Sequence, residues 1–429
     1  MSFVPNSPMS SLSYDLMGET DDSDRKPLIR IKNHFYYLLQ QTNDGKCSII
    51  RGMNNQPLKS PRLRHIQEEN PDLWFRSLNC ELYMKNINLA SKRLDCPMNN
   101  VALVENATVG INAILKSGLP FREIWCTNLA YGAVLYTIEE ATKQQKIQMK
   151  TINIKFPIIS KQDFIQQFKA FLDERRSDEM CLMVLDYITS STALLFPMEE
   201  LIELFHSYNM LVLIDGAHAA GQVPHLSLTK LNCDFFVGTF HKWCYASRGC
   251  SFLYVKNDDY LELIQPANTS WGYKINSTLT SYTHFHLQFF NQGTKDGSSL
   301  LTVEKAFEFS EQLCGGEEKI FEYNTKLSQT AKEMLIKRWN VRHDDDQLQI
   351  PQDMEAPYLK MIRLPDLNDY EKTENDALKL LNDLIKDYQL VAIILCVNNE
   401  LYARISTQIY NTLKDYEYLA DIIDKLRKK

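Results

Sequence analysis

The chain of 429 residues lacks several features that would have fixed its class at once. It has no C-x-x-C pair and no Cys/His spacing of the zinc type. Its ten cysteines are dispersed, which predicts reduced thiols, a cytoplasmic setting and no metal site. No run approaches the length of uncharged apolar residues that a membrane span requires, and the N-terminus has no basic start followed by an apolar stretch, so neither spanning nor secretion is expected. A basic surface is missing too. With a net charge of −7, nucleic acid and anionic membrane are poor partners, and small molecules lead. No G-x-G-x-x-G follows an early strand, which disfavours a nucleotide-binding oxidoreductase.

The sequence does have an ordinary globular balance, 44% hydrophobic and 24% charged. Residues 1–26 are Ser-, Asp- and Met-containing without periodicity and predict a disordered tail. Beyond them short apolar runs alternate with helical stretches: VALVE, EIWCT, MCLMVLDYI, MLVLID, CDFFVGT and CSFLYVK, with helices over TVGINAILKS, YGAVLYTIEEATKQQ and MEELIELFHSY. Near-continuous apolar strands separated by helices predict a mostly parallel sheet covered on both faces, with ligands beyond the strands' carboxyl ends. After residue 300 a long helical stretch, SLLTVEKAFEFSEQL, leads to DALKLLNDLIKDY, two strand-like runs (LVAIILCV, LYARIS) and a final amphipathic helix. The expected organisation is an N-terminal segment and large domain over 27–300 and a small α+β domain over 301–429.

Two residues stand out. MLVLID ends in Asp215, before Gly216, Ala217 and His218, and CDFFVGT delivers Thr239, Phe240, His241 and Lys242 to another strand end. Lysine is rarely buried unless paired or chemically employed. A buried lysine beside a strand-end acid suits pyridoxal phosphate, which binds through a lysine Schiff base and works best when a carboxylate keeps its ring nitrogen protonated. Taken alone, Asp215 could be a turn acid and Lys242 a surface lysine lying on aromatics. Together they describe a pocket.

LIDGAHAAGQVP followed by DFFVGTFHKW resembles the class V aminotransferase family of fold-type I pyridoxal phosphate enzymes. Within it, the chain is most similar to the isopenicillin N epimerase-like branch, which includes cysteine desulfhydrases and hercynylcysteine sulfoxide lyases. The resemblance implies a homodimer with composite active sites and an amino-acid substrate. It implies that Ala107 and Thr108 hold the cofactor phosphate at a helix start, an anion site by its physics, although Thr108 could equally cap its helix. Tyr131 would stack on the ring. His218 would lie near the ring hydroxyl, Ser190 on another strand end, and Thr239 and His241 beside the lysine. Gly293 and Thr294, in FFNQGTKD, would reach the phosphate of the neighbouring subunit. Arg404 would grip the substrate carboxylate, a task suited to a planar fork; without the resemblance it reads as a solvated strand residue.

Two stretches depart from the family pattern. The region CSIIRGMNNQPLKSP, over 47–61, only echoes an Asn/His/Gly-rich substrate loop, and CYASRGC after Lys242 replaces a Gly-Pro-rich turn while keeping Gly249. The expected activity is C–S β-lysis started by α-proton abstraction at Lys242, with epimerisation and transamination as alternatives. A cysteine desulfurase ranks lower, because Cys244 and Cys250 read as small buried hydrophobes. A non-catalytic dimeric module is the alternative from another class.

Overall fold

The computed structural model describes residues 59–173, 179–274, 282–341 and 348–428, so the 1–26 tail and nearly all of the 47–61 stretch lie outside the described residues. The larger sheet has seven strands: β1 (Val101–Val104), β2 (Glu123–Thr127), β3 (Gln148–Ile152), β4 (Cys181–Asp186), β5 (Met210–Gly216), β6 (Phe235–Thr239) and β7 (Ser251–Val255). Their spatial order is β1-β7-β6-β5-β4-β2-β3. The pairs from β3 across to β6 are parallel, while β7 is antiparallel to both β6 and β1. The fold is α/β with a mostly parallel sheet.

Alternation within the strands explains why both faces read as apolar. Met183 and Leu185 of β4 join Val212 and Ile214 of β5 in one core, whereas Leu182, Val184, Leu213 and Val237 join the other. Helices cover each face. The helix Ala107–Leu115 lies over β6, and its close approach depends on Gly110, where a Cβ would meet Val237 Cγ1 at 2.9 Å. Edge strand β3 was not among the expected strands; it has the polar pattern of a sheet margin, with only Ile152 fully buried.

A second sheet holds β8 (Leu359–Arg363), β9 (Ile393–Val397) and β10 (Glu400–Ser406) in the antiparallel order β8-β10-β9. With the helices Glu317–Trp339, Glu374–Tyr388 and Leu413–Lys428 it encloses a separate core running from Ala331 to Leu426. The stretch expected as one long helix, SLLTVEKAFEFSEQL, is instead three successive turns: Leu300–Thr302 as 3-10, Val303–Glu308 as α and Phe309–Leu313 as π. No helix among the described residues is long and apolar enough to cross a membrane.

Candidate active site

The parallel strands β4, β5 and β6 all end at one edge of the sheet, and there the chemistry collects. Asp186 closes β4 and Asp215 lies one residue from the end of β5, directly paired in register, so both side chains leave the same face of the sheet. Both are buried, at 4% and 5% exposure. Burial pushes both carboxyls above the usual range, Asp186 strongly, and the adjacent Asp215 raises Asp186 further. The Lys242 charge acts in the opposite sense on both. Asp215 Oδ1 accepts the Ala217 N–H at 3.0 Å, so it is also the turn acid that its sequence position allowed.

Strand β6 runs into a single helical turn, Phe240–Trp243, that projects Lys242 over this edge. Burial draws the Lys242 ammonium down to about 8, with Arg404 adding to the fall and Asp215 and Asp186 opposing it. Lys242 Nζ lies 3.2 Å from His218 Nε2, while the Trp243 indole donates to His218 Nδ1 at 3.3 Å. Desolvation and the cations Lys242 and Arg404 hold His218 well below the normal imidazole range. Gln222 Nε2 donates to the His218 carbonyl at 3.0 Å and Gln222 Oε1 accepts the Tyr358 N–H at 3.0 Å, tying the turn to the smaller sheet's approach strand.

Arg404, on central strand β10, is buried at 5% exposure rather than solvated. It donates through Nη1 to the Ser190 carbonyl and, at 3.3 Å, to Ser190 Oγ. Ser190 is therefore joined to the arginine, in the loop after β4. Thr239 is buried, and its hydroxyl donates to the Ala217 carbonyl at 2.8 Å, joining β6 to the turn after β5. His241 Nδ1 lies 2.8 Å from the Cys250 carbonyl, and burial lowers its pKa. Tyr131 is 52% exposed at the start of the helix Gly132–Gln145, so it is not core; its backbone N–H bonds the Asp186 carboxyl.

The helix Ala107–Leu115 begins near the same edge, because β1 runs in the sense of β6. Its cap is Asn106, which accepts the Val109 N–H at 2.9 Å, so capping does not occupy the exposed hydroxyl of Thr108. Gly293 (φ +113°) and Thr294 are exposed on a loop, with open space where a glycine Cβ would stand. Cys244 and Cys250 are buried; burial pushes the Cys244 thiol up to about 12 and Cys250 higher still, which suits neither as a nucleophile. Among the described residues no cluster of His, Cys, Asp and Glu could hold a metal.

These residues fit pyridoxal phosphate. The Lys242 amine is desolvated, with its pKa drawn down to about 8, a buried Asp215 carboxyl at the neighbouring strand end would favour a cationic ring nitrogen, and a helix start with a hydroxyl is suited to phosphate. The sheet order is that of the fold-type I pyridoxal phosphate enzymes. The aminotransferase class-V family profile matches residues 91–353, more than half of the chain, and the chain belongs to that family.

Individual relatives are distant. The chain is 25% identical over 417 residues to an L-cysteine desulfhydrase of Arabidopsis thaliana, covering 90% of this chain and 87% of that one. It is 26% identical over 308 residues to a hercynylcysteine sulfoxide lyase of Schizosaccharomyces pombe, covering 69% and 74%. Among solved structures, the cystine C–S lyase C-DES in complex with cysteine persulfide superposes with a TM-score of 0.67 at 16% identity, over 86% of this chain and 93% of that one.

Asp186, Trp243, Gln222 and Tyr358 were not singled out as site residues. Asp186 closes β4, but in sequence the apolar Tyr187 and Ile188 after it hide the strand end.

Proposed function

We propose that the chain is a pyridoxal phosphate-dependent C–S β-lyase acting on a sulfur-containing amino acid, as a homodimer in the cytoplasm. The observation that carries this is the gathering of Lys242, its pKa lowered by burial, with the buried Asp215 and the buried Arg404 around one sheet edge. The named activities of the relatives supply the bond to be broken. The cytoplasmic setting is supported by the absence of any disulfide among the described residues.

When bound, pyridoxal phosphate supplies an electron sink for the carbanion at the substrate Cα. Every other task falls to the chain. Lys242 would hold the cofactor and, as a free amine, would take the α-proton; its lowered pKa leaves a useful neutral fraction near physiological pH. Asp215 keeps the ring nitrogen protonated. The amides from Ala107 and Thr108, with His241, would receive the phosphate, Thr239 would support the pocket through its bond to the Ala217 carbonyl, and Tyr131 would cover the ring face. Arg404 binds the substrate carboxylate and so sets which Cα bond faces Lys242. Loss of the α-proton and departure of the β-sulfur with its bonding pair, followed by water addition, give pyruvate, ammonia and a sulfur product. Gly293 and Thr294 complete the phosphate site of the partner subunit.

The test is spectral and chemical. The purified protein should show a visible absorption band that Lys242→Ala abolishes, and should release pyruvate from a member of a panel of sulfur amino acids and their sulfoxides. Sulfide as co-product identifies a desulfhydrase and sulfenate a sulfoxide lyase. A protein that takes up no cofactor refutes the reading. Inverted Cα without sulfur release would establish epimerisation, a keto acid retaining its sulfur would establish transamination, and a bound cofactor unmoved by every amino acid would mark a non-catalytic module.

A further inference from the structure

Three groups meet in a line, the Trp243 indole, the His218 imidazole and the Lys242 amine, and their hydrogen-bonding capacities conflict unless one arrangement is chosen. An indole N–H can only donate. The Trp243 bond to His218 Nδ1, at 3.3 Å, therefore requires a lone pair on Nδ1 and places the single proton of a neutral imidazole on Nε2. That nitrogen is the one 3.2 Å from Lys242 Nζ. With Nε2 carrying a proton, the lysine must accept, which only a neutral amine can do. A lysine ammonium would need a bare Nε2, which would move the imidazole proton to Nδ1, against the indole. The two bonds coexist in one protonation pattern.

We infer that Trp243 is a positioning residue that fixes His218 as its Nε2–H tautomer, so that the imidazole turns a donor rather than a lone pair toward the Lys242 nitrogen. The role rests on Lys242 being the cofactor lysine, as proposed above, but the tautomer itself is a property of the protein. The setting supports it. His218 is 4% and Trp243 5% exposed, so water does not compete for either ring nitrogen. The indole is held by an edge contact with Tyr358, centroids 5.6 Å apart, and the His218 backbone by Gln222. The charged groups acting on Lys242 are Asp215 and Asp186, which favour its cation, and Arg404, which opposes it; Lys242 and Arg404 both oppose an imidazolium at His218. A donor facing Nζ thus adds to Arg404 and to burial in keeping the lysine nitrogen unprotonated, against two carboxylates.

The experiment uses the cofactor-loaded protein with 15N-labelled histidine, His218 being identified by the signal lost in His218→Gln. The expected spectrum shows Nε2 protonated and Nδ1 bare from mildly acidic to mildly alkaline pH. An Nδ1–H ring, or an imidazolium at neutral pH, overturns the proposal. Trp243→Phe keeps the aromatic packing and removes the donor. It should let the Nδ1–H form appear and raise the pKa of the lysine-dependent visible band by about one unit, the scale of one hydrogen bond to a charged group. A folded Trp243→Phe protein whose band titrates as in the wild type also overturns it. Should that variant fail to fold, the wild-type tautomer decides. A protein that binds no cofactor would refute the functional reading alone, because the labelled histidine still reports its tautomer above about pH 8, where Lys242 is neutral.

Discussion

Lys242, drawn down to about 8, is the residue whose protonation would govern cofactor uptake in the role proposed for it. Only the neutral amine can attack an aldehyde, and with that pKa about one-tenth of the lysine is neutral at pH 7, against well under a thousandth for an ordinary lysine. Uptake of pyridoxal phosphate by cofactor-free protein should therefore accelerate about tenfold per pH unit below about 8 and level off above it, read from the growth of the visible band. A rate still climbing tenfold per unit well above 8 would show that the lysine is not depressed. The same residue marks how much of the site could be read from sequence. Asp215 was legible because Gly216, Ala217 and His218 after it announce a turn. Asp186 was not, because Tyr187 and Ile188 let it pass as part of an apolar run, and only register pairing sets it beside Asp215. The Trp243 to His218 bond spans 24 intervening residues and depends on ring orientation, which no pattern of residue types encodes.

Among the elements, the segment after the lysine shows how a departure from a family pattern can keep its geometry. Gly249 has φ +88°, and a Cβ there would stand 2.9 Å from Ser299 Oγ, whose hydroxyl donates to the Gly249 carbonyl at 3.0 Å. Tyr245 also adopts a left-handed backbone, φ +63°, and its hydroxyl donates to Gln408 Oε1 at 2.8 Å. A turn without proline is thus fixed by one glycine and by hydrogen bonds to distant parts of the chain. Gly249→Ala should lower stability by about 1–2 kcal/mol, seen as a fall in the thermal unfolding midpoint. Gly132→Ala, where a Cβ meets nothing within 4 Å, should leave the midpoint unchanged or raise it. Equal effects at both sites would remove the argument from backbone strain. Most elements of the large sheet were legible because a doubly covered strand is apolar throughout. Strand β8 was missed for the opposite reason: Lys360 reads as solvated, yet it is 7% exposed and bonded to Glu355 Oε2 at 2.8 Å. A charge neutralised by a partner five residues away looks, in sequence, like a surface charge.

At the scale of the whole molecule, the exposed Gly293 and Thr294 need a second chain to have the role proposed for them. Gly293→Asp would bring a carboxylate toward the partner's phosphate and should inactivate, as should Lys242→Ala. Exchanging subunits between the two inactive proteins should restore up to about one quarter of the original activity, since half the dimers are mixed and one of their two sites is intact. No recovery, with mixed dimers present by mass, would place that loop outside the partner's site.

The link between Arg404 of the smaller sheet and Ser190 of the larger bears on substrate capture. The guanidinium already holds an intramolecular acceptor through Nη1, so in the role proposed for it an arriving carboxylate would meet a fork already oriented rather than one that must first be ordered.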